Sequence, residues 1–383
     1  MRHVVIAGGG MTAGNTAAGL RDGGYDGRIT IVSDEVAVPF GRPPLSKTYL
    51  RGEEPVSAWY VKPPEWYEEA NVERRGGRVA RIDPQNAAVV LTDESEIGCD
   101  RVVIATGARP RTVEGALALR TQADADAIRR LARPGEKAVV AGMSFIGAEV
   151  SASLRRLGVD VTAVFPGSGP LAAVLGDVVA ARMAAIHREE GVELVSNDKV
   201  VEFNDGYVTT EHGRRIDCAF AVVGLGVAPN VAVAEASGIT VDNGIVVDAR
   251  CRTNVENVYA VGDVANHDHP LFGRVRVEHY NNAEKQGRYV AGALLGNEEP
   301  YDYLHTFWSD QYDHKIEYVG HAREWDDFVV RGDADGAFVG LYVKDGIVRA
   351  AVGLDRGGDP ELEPGSEMAA CAELVRTRSR LDA

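Results

Sequence analysis

Gly8, Gly10 and Ala13 form a G-x-G-x-x-A turn directly after the apolar run Val4-Val5-Ile6-Ala7. Glycine at the first two positions lets the chain turn tightly and bring its backbone against a phosphate. Unpaired N–H groups and the dipole at the start of a helix near Met11 then favour the negative charge. Asp34 and Glu35 follow the next apolar run, with Glu35 twenty-five residues past Gly10. A carboxylate at that reach can accept both ribose hydroxyls of an adenosine. A second turn, Gly142, Ser144 and Gly147, has serine where the middle glycine is expected. The strand after it ends in Phe165-Pro166, with no acid at its tip and no base nearby, so the sequence leaves NADH and NADPH equally open.

Each turn sits in the same grammar: a β-branched run, the turn, an alanine-rich helical stretch, then another β-branched run. The segments "HVVIAGGGMTAGNTAAGLRDGGYDGRITIVSDE" and "KAVVAGMSFIGAEVSASLRRLGVDVTAVF" therefore read as two βαβ units. An α/β chain with two Rossmann-like dinucleotide-binding domains, one inserted in the other, is expected. From about Tyr303 the texture changes to alternating strands broken by Asp-Gly turns, a small C-terminal α+β domain finished by a helix from Ser366 to Leu381.

The 383 residues suffice for two or three domains. With 41 Lys and Arg against 57 Asp and Glu, the net charge of -16 argues against nucleic acid or an anionic membrane surface as a partner. No apolar run is long enough to span a bilayer, and the first strand begins at the N-terminus with no space for a targeting peptide, so a cytoplasmic protein is expected. Cys99, Cys218, Cys251 and Cys371 are far apart, form no C-x-x-C pair and read as reduced structural thiols. His267 and His269 in "NHDHP" raise the question of a metal, but they lack further ligands in sequence and read as a solvated loop, so no metal is expected.

The motifs "GGGMTAGNTAAGL", "RPPLSKTYL", "ATGARPR", "GMSFIGAEV", "VVGLGVAPN", "VYAVGDVA", "RVEHYNNAEKQGR" and "FWSDQY" run the length of the chain. In their order and spacing the sequence resembles the FAD-dependent, NAD(P)H-linked ferredoxin reductases and the related apoptosis-inducing-factor-like proteins. These belong to the pyridine nucleotide-disulfide oxidoreductase superfamily but lack its redox disulfide. The resemblance implies a glutathione-reductase-type arrangement, with FAD on residues 1–111 and 237–302, NADH or NADPH on 112–236, and an interface domain at 303–383.

It further implies that Asp263 binds the ribitol of FAD, that Thr106, Gly107 and Arg109 border the dinucleotide, and that Arg42 helps hold it. Lys47 is implied to lie near the flavin ring, paired with Glu149; these two are the catalytic candidates. Gly14, Val79, Gly262, Glu278 and His279 join the cofactor-binding set on the same ground. So do Ile146, Gly224 and Gly226. Tyr280 stands where the family often has Trp, Gly41 where it often has an acid, and Trp308 keeps the family's ring.

No cysteine lies in "GRPPLSK", so chemistry that passes electrons to a disulfide is lost there and the flavin edge becomes the exit. The resemblance implies hydride transfer from NAD(P)H to FAD and single-electron transfer to a ferredoxin-type iron–sulfur protein feeding a P450 or Rieske oxygenase, by a monomer or homodimer. Two other functions stay open: an oxidase or quinone reductase with diffusible acceptors, and a redox-responsive binding protein.

Overall fold

The computed structural model describes residues 1–35 and 37–381. Asp382 and Ala383, the end of the segment expected to form the third domain, lie outside the described residues. The chain divides into two compact units, one of residues 1–42, 57–109 and 228–303, the other of 43–56, 110–227 and 304–383.

The first unit is built on a parallel five-stranded sheet in the order Val258–Ala260, Arg101–Ile104, His3–Ala7, Arg28–Ser33, Val72–Gly76. Its inner strands are nearly continuous Val, Ile and Ala because both faces are covered, the pattern parallel sheets require. Helix Met11–Asp22 follows the first strand and packs on helix Tyr280–Leu294. The approach is close: a Cβ on Gly287 would lie 2.6 Å from the Thr12 carbonyl oxygen.

The second unit contains another parallel five-stranded sheet, in the order Glu193–Ser196, Asp160–Phe165, Lys137–Ala141, Phe220–Val223, Leu117–Ala118, with helix Phe145–Arg156 after the Lys137–Ala141 strand. It also holds the C-terminal antiparallel sheet, ordered Thr306–Gln311, His314–Gly320, Ile347–Leu354, Phe338–Lys344, Asp327–Gly332. Leu175, Val179 and Met183 of helix Ala172–Glu189 share one apolar cluster with Phe338, Tyr342 and Val352 of that sheet. Tyr342 also donates its hydroxyl to the Leu175 carbonyl at 2.9 Å. Asp345 and Gly346 turn the Phe338–Lys344 hairpin with positive φ at both residues, as an Asp-Gly turn should.

Two sequence expectations change. The final helix is Glu367–Arg376, not 366–381; Ser366 caps it by accepting from the Ala369 N–H, and Arg378 takes a positive φ that a helix cannot continue through. "NHDHP" is not a solvated loop. Ala265–His269 is a strand, and His267 and His269 are almost fully buried, with their Nε2 atoms on the backbone carbonyls of Ala249 and Tyr303. Among the described residues no group of three or more His, Cys, Asp or Glu is placed to hold a metal, and no helix is long and apolar enough to cross a membrane.

Burial lowers the pKa of His267 and His187 to about 4. Each is neutral when folded, while the unfolded chain takes up their protons below about pH 6.5. Folding therefore loses stability as pH falls from about 6.5 to 4, by at most roughly 3 kcal/mol for each histidine. The melting temperature is expected to drop across that window, and His267→Gln to flatten the drop, in thermal denaturation series at stepped pH; an unchanged slope in the variant would show the histidine is not responsible.

Candidate functional site

In the first unit, Gly8 adopts φ +122, and a Cβ there would lie 2.2 Å from the carbonyl oxygen of Ala105, just past the neighbouring strand Arg101–Ile104, so only glycine fits. Above Gly10 the reverse holds: a Cβ would meet nothing within 4 Å. Helix Met11–Asp22 starts there with no side chain capping its first N–H groups. Ala13 and Gly14 are buried in its first turn. Beside this turn lies a shallow, open recess lined by Gly9, Ser33, Glu35, Pro39, Arg74 and Arg75, among others. Open backbone donors beside a recess that carries a carboxylate fit the pyrophosphate and adenosine of a dinucleotide.

The two acids separate. Glu35 lines the recess and pairs with Arg42 at 2.7 Å, whereas Asp34 is exposed and pairs with Arg78. The structure thus brings together Glu35 and Arg42, two site residues the sequence took from separate motifs.

Thr106, Gly107 and Arg109 are gathered by Asn230, which sequence reasoning missed. Asn230 donates its side-chain N–H to the Thr106 carbonyl at 2.8 Å and its backbone N–H to the Gly107 carbonyl at 2.9 Å, and Arg109 donates to its side-chain oxygen at 3.1 Å. Asp263 lies buried in the short turn Gly262–Val264. Gln286, also missed, accepts the Gly262 N–H at 2.7 Å, and Arg276 joins Glu278 to the Asp263 carbonyl. His279 is the N-cap residue of the helix that begins with Tyr280. Burial, with Glu284 adding a little, raises the Tyr280 phenol to about 12. Val79 stands apart, a strand residue paired with Leu91 inside an apolar cluster.

In the second unit, Gly142 has φ +97, and a Cβ on Gly147 would lie 1.9 Å from the Gly142 carbonyl oxygen. Gly224 packs against that same turn. Ser144 is exposed at the start of helix Phe145–Arg156 and caps nothing, and Ile146 is exposed beside it. Gly226 adopts φ +77 with open space around it. These residues also leave the helix start free for a phosphate.

The same helix carries Glu149, buried, with Oε2 2.7 Å from Lys47 Nζ. Pro43–Ser46 forms a 3-10 turn that leads into Lys47. Ser46 donates to Glu149 Oε2 at 2.6 Å and Ser309 to Oε1 at 2.7 Å. Both serines sit inside motifs the sequence singled out for other residues. Trp308, next to Ser309, points to the opposite face of the strand by the alternation of side chains and is half-buried.

Residues 2–287 match the family described as pyridine nucleotide-disulphide oxidoreductase, and residues 306–383 match the module described as reductase C-terminal. The chain is 36% identical to a rhodocoxin reductase of Rhodococcus erythropolis over 353 residues, 88% of this chain and 83% of that protein. It is 37% identical over 371 residues to the ferredoxin–NAD(+) reductase component of an anthranilate 1,2-dioxygenase system of Burkholderia cepacia, covering 93% and 91% of the two chains. Among solved structures, the covalent complex of putidaredoxin reductase with putidaredoxin aligns with a TM-score of 0.93 at 32% identity, covering all of this chain and 94% of that one.

Removing one partner of the buried ion pair should cost far more than removing both, since a lone buried charge has nothing to offset its desolvation. Lys47→Met is expected to destabilise the protein by about 3 kcal/mol, and Lys47→Met with Glu149→Leu by clearly less, in chemical denaturation; equal losses would show the pair is not electrostatically coupled.

Proposed function

Because this chain belongs to the pyridine nucleotide-disulphide oxidoreductase family, we propose that it is a flavoprotein reductase that takes electrons from NADH or NADPH and gives them to a ferredoxin-type iron–sulfur protein serving a P450 or Rieske oxygenase. The observation that carries this reading is the paired Lys47–Glu149 at a place with no cysteine. All four cysteines are free thiols, and burial pushes Cys99 and Cys371 up to about 11, so no reactive thiolate competes as an electron exit.

Bound FAD would supply the conversion of a two-electron donor's chemistry into single-electron delivery. The protein's own part is placement. The open helix start after Gly10 and the Glu35–Arg42 pair hold the nucleotide end, and the Gly262–Asp263 turn is held ready by Gln286. Asn230 fixes the segment that carries Thr106 and Arg109. Lys47 is the cation assigned to the flavin ring, and Glu149 keeps it placed and balances its charge. The start of helix Phe145–Arg156 receives the pyridine nucleotide. On this reading residues 1–111 and 237–302 hold FAD, 112–236 hold NAD(P)H, and the protein works in the cytoplasm.

The test is anaerobic stopped-flow reduction of the FAD-loaded protein by NADH and, separately, NADPH, followed at the flavin band and at long wavelength. Fast bleaching by at least one nucleotide, and turnover that rises when a ferredoxin is added, is the expected result. Slow bleaching by both with a persistent charge-transfer band would replace this function with that of a redox-responsive binding protein.

A further inference from the structure

Lys47 and Ser46 take up Oε2 of Glu149, leaving Oε1 to Ser309. A carboxylate has no proton to give, so the Ser309 hydroxyl, 2.7 Å away, must donate to it. That uses the serine's one proton. The Gln311 amide atom 3.1 Å from Ser309 Oγ must then be its NH2, which leaves the Gln311 carbonyl to face His187. His187 Nε2, 2.9 Å from that carbonyl, has to carry the ring proton. Nδ1 is left as an acceptor, and the Tyr312 hydroxyl, 3.1 Å away, donates to it. Each orientation follows from the one before, beginning with the charge on Glu149, so the amide direction and the tautomer are set by chemistry.

Ser309, Gln311 and His187 are completely buried. Burial pulls the imidazole down to about 4 and pushes the Tyr312 phenol up, so neither group changes protonation near neutrality. Such a line of polar atoms is expensive to keep in a core unless every member is satisfied, and here apolar side chains could fill the space. What apolar side chains could not do is donate to Glu149.

We propose that Tyr312, His187, Gln311 and Ser309 form a one-way donor chain that holds the Glu149 carboxylate oriented against Lys47. His187 and Gln311 are therefore positioning residues, although neither touches the ion pair. This rests on the proposed assignment of Lys47 and Glu149 to the flavin. It adds a source of control inside the C-terminal module: strand Thr306–Gln311 and the turn after it supply three of the four members.

A double-mutant cycle tests it, with the flavin midpoint potential read by spectroelectrochemistry on FAD-loaded protein. A carboxylate stripped of the donor that orients it no longer sits squarely on Lys47, and the positive charge of Lys47 is then less well balanced. Ser309→Ala and Gln311→Met are expected to shift the potential positive, in the same direction as Glu149→Gln. Ser309→Thr, which keeps the hydroxyl, should hold the parent potential. In the Glu149→Gln background Gln311→Met should add no shift, because it acts only through Glu149. The proposal is overturned if Ser309→Ala and Gln311→Met leave the potential unmoved while Glu149→Gln shifts it, or if their shifts persist without Glu149.

A Glu149→Gln variant with an unmoved potential would instead remove the flavin assignment of the pair. The chain itself is then decided by 15N NMR of histidine-labelled protein. A neutral, Nε2-protonated His187 whose signal changes in Gln311→Met supports it, and an Nδ1-protonated ring overturns it.

Discussion

A carboxylate taken out of water costs several kcal/mol unless donors meet it on all sides, and Glu149 meets that demand from two stretches far from its own helix in sequence. Ser46 ends the Pro43–Ser46 turn and Lys47 follows it, and Ser309 comes from the first strand of the C-terminal sheet. One buried charge thereby ties the turn, helix Phe145–Arg156 and that sheet together. The two prolines suit this arrangement: they fix φ and bring no N–H groups that a turn packed inward would have to satisfy. Arg51 adds a further tie, donating to Ser153, which itself donates to the Ser46 carbonyl.

The two nucleotide turns obey one steric rule and differ where it relaxes. In both, the first glycine has a positive φ and would drive a Cβ into a carbonyl oxygen, that of Ala105 for Gly8 and that of Gly224 for Gly142. The middle position is open, since a Cβ on Gly10 meets nothing, and this is why Ser144 can stand there with its side chain exposed. The third position reports how closely the helix lies on its own turn. Alanine is accommodated at position 13, but at Gly147 a Cβ would strike the Gly142 oxygen. The irregular second turn is thus a regular one with a tolerated substitution.

Features set by local rules were legible in the sequence. Both βαβ units, the glycine turns and the Asp-Gly hairpin depend on short-range sterics and alternation, and they stand where the sequence puts them. What was not legible depends on partners distant in the chain. Asp34 and Glu35 are adjacent acids, and which of them faces the recess shows only once Asp34 is seen paired with Arg78 and Glu35 with Arg42. His267 and His269 look like loop residues because polar groups alternate with Asn and Asp, yet backbone carbonyls far away in sequence allow them inside a strand. Asn230, Gln286, Ser46 and Ser309 gave no signal of their own, since an uncharged polar residue in a motif reveals nothing until its partner is known.

Gly41 and Tyr280 stand out in the sequence as two separate departures from the pattern of the family. In the structure they are one. A Cβ on Gly41 would lie 2.5 Å from Tyr280 Cε2 and 3.1 Å from Trp59 Cε3. Those two rings meet edge to face, with centroids 5.8 Å apart and planes at 83°, a geometry that places a positive ring edge over a negative face. An acidic side chain at position 41 would have to displace that pair, so the glycine and the tyrosine are compatible with each other where an acid with this tyrosine is not. The departure is a change in how aromatic surface is packed, and it leaves untouched both the Glu35–Arg42 pair on one side of Gly41 in the chain and the Lys47–Glu149 pair on the other.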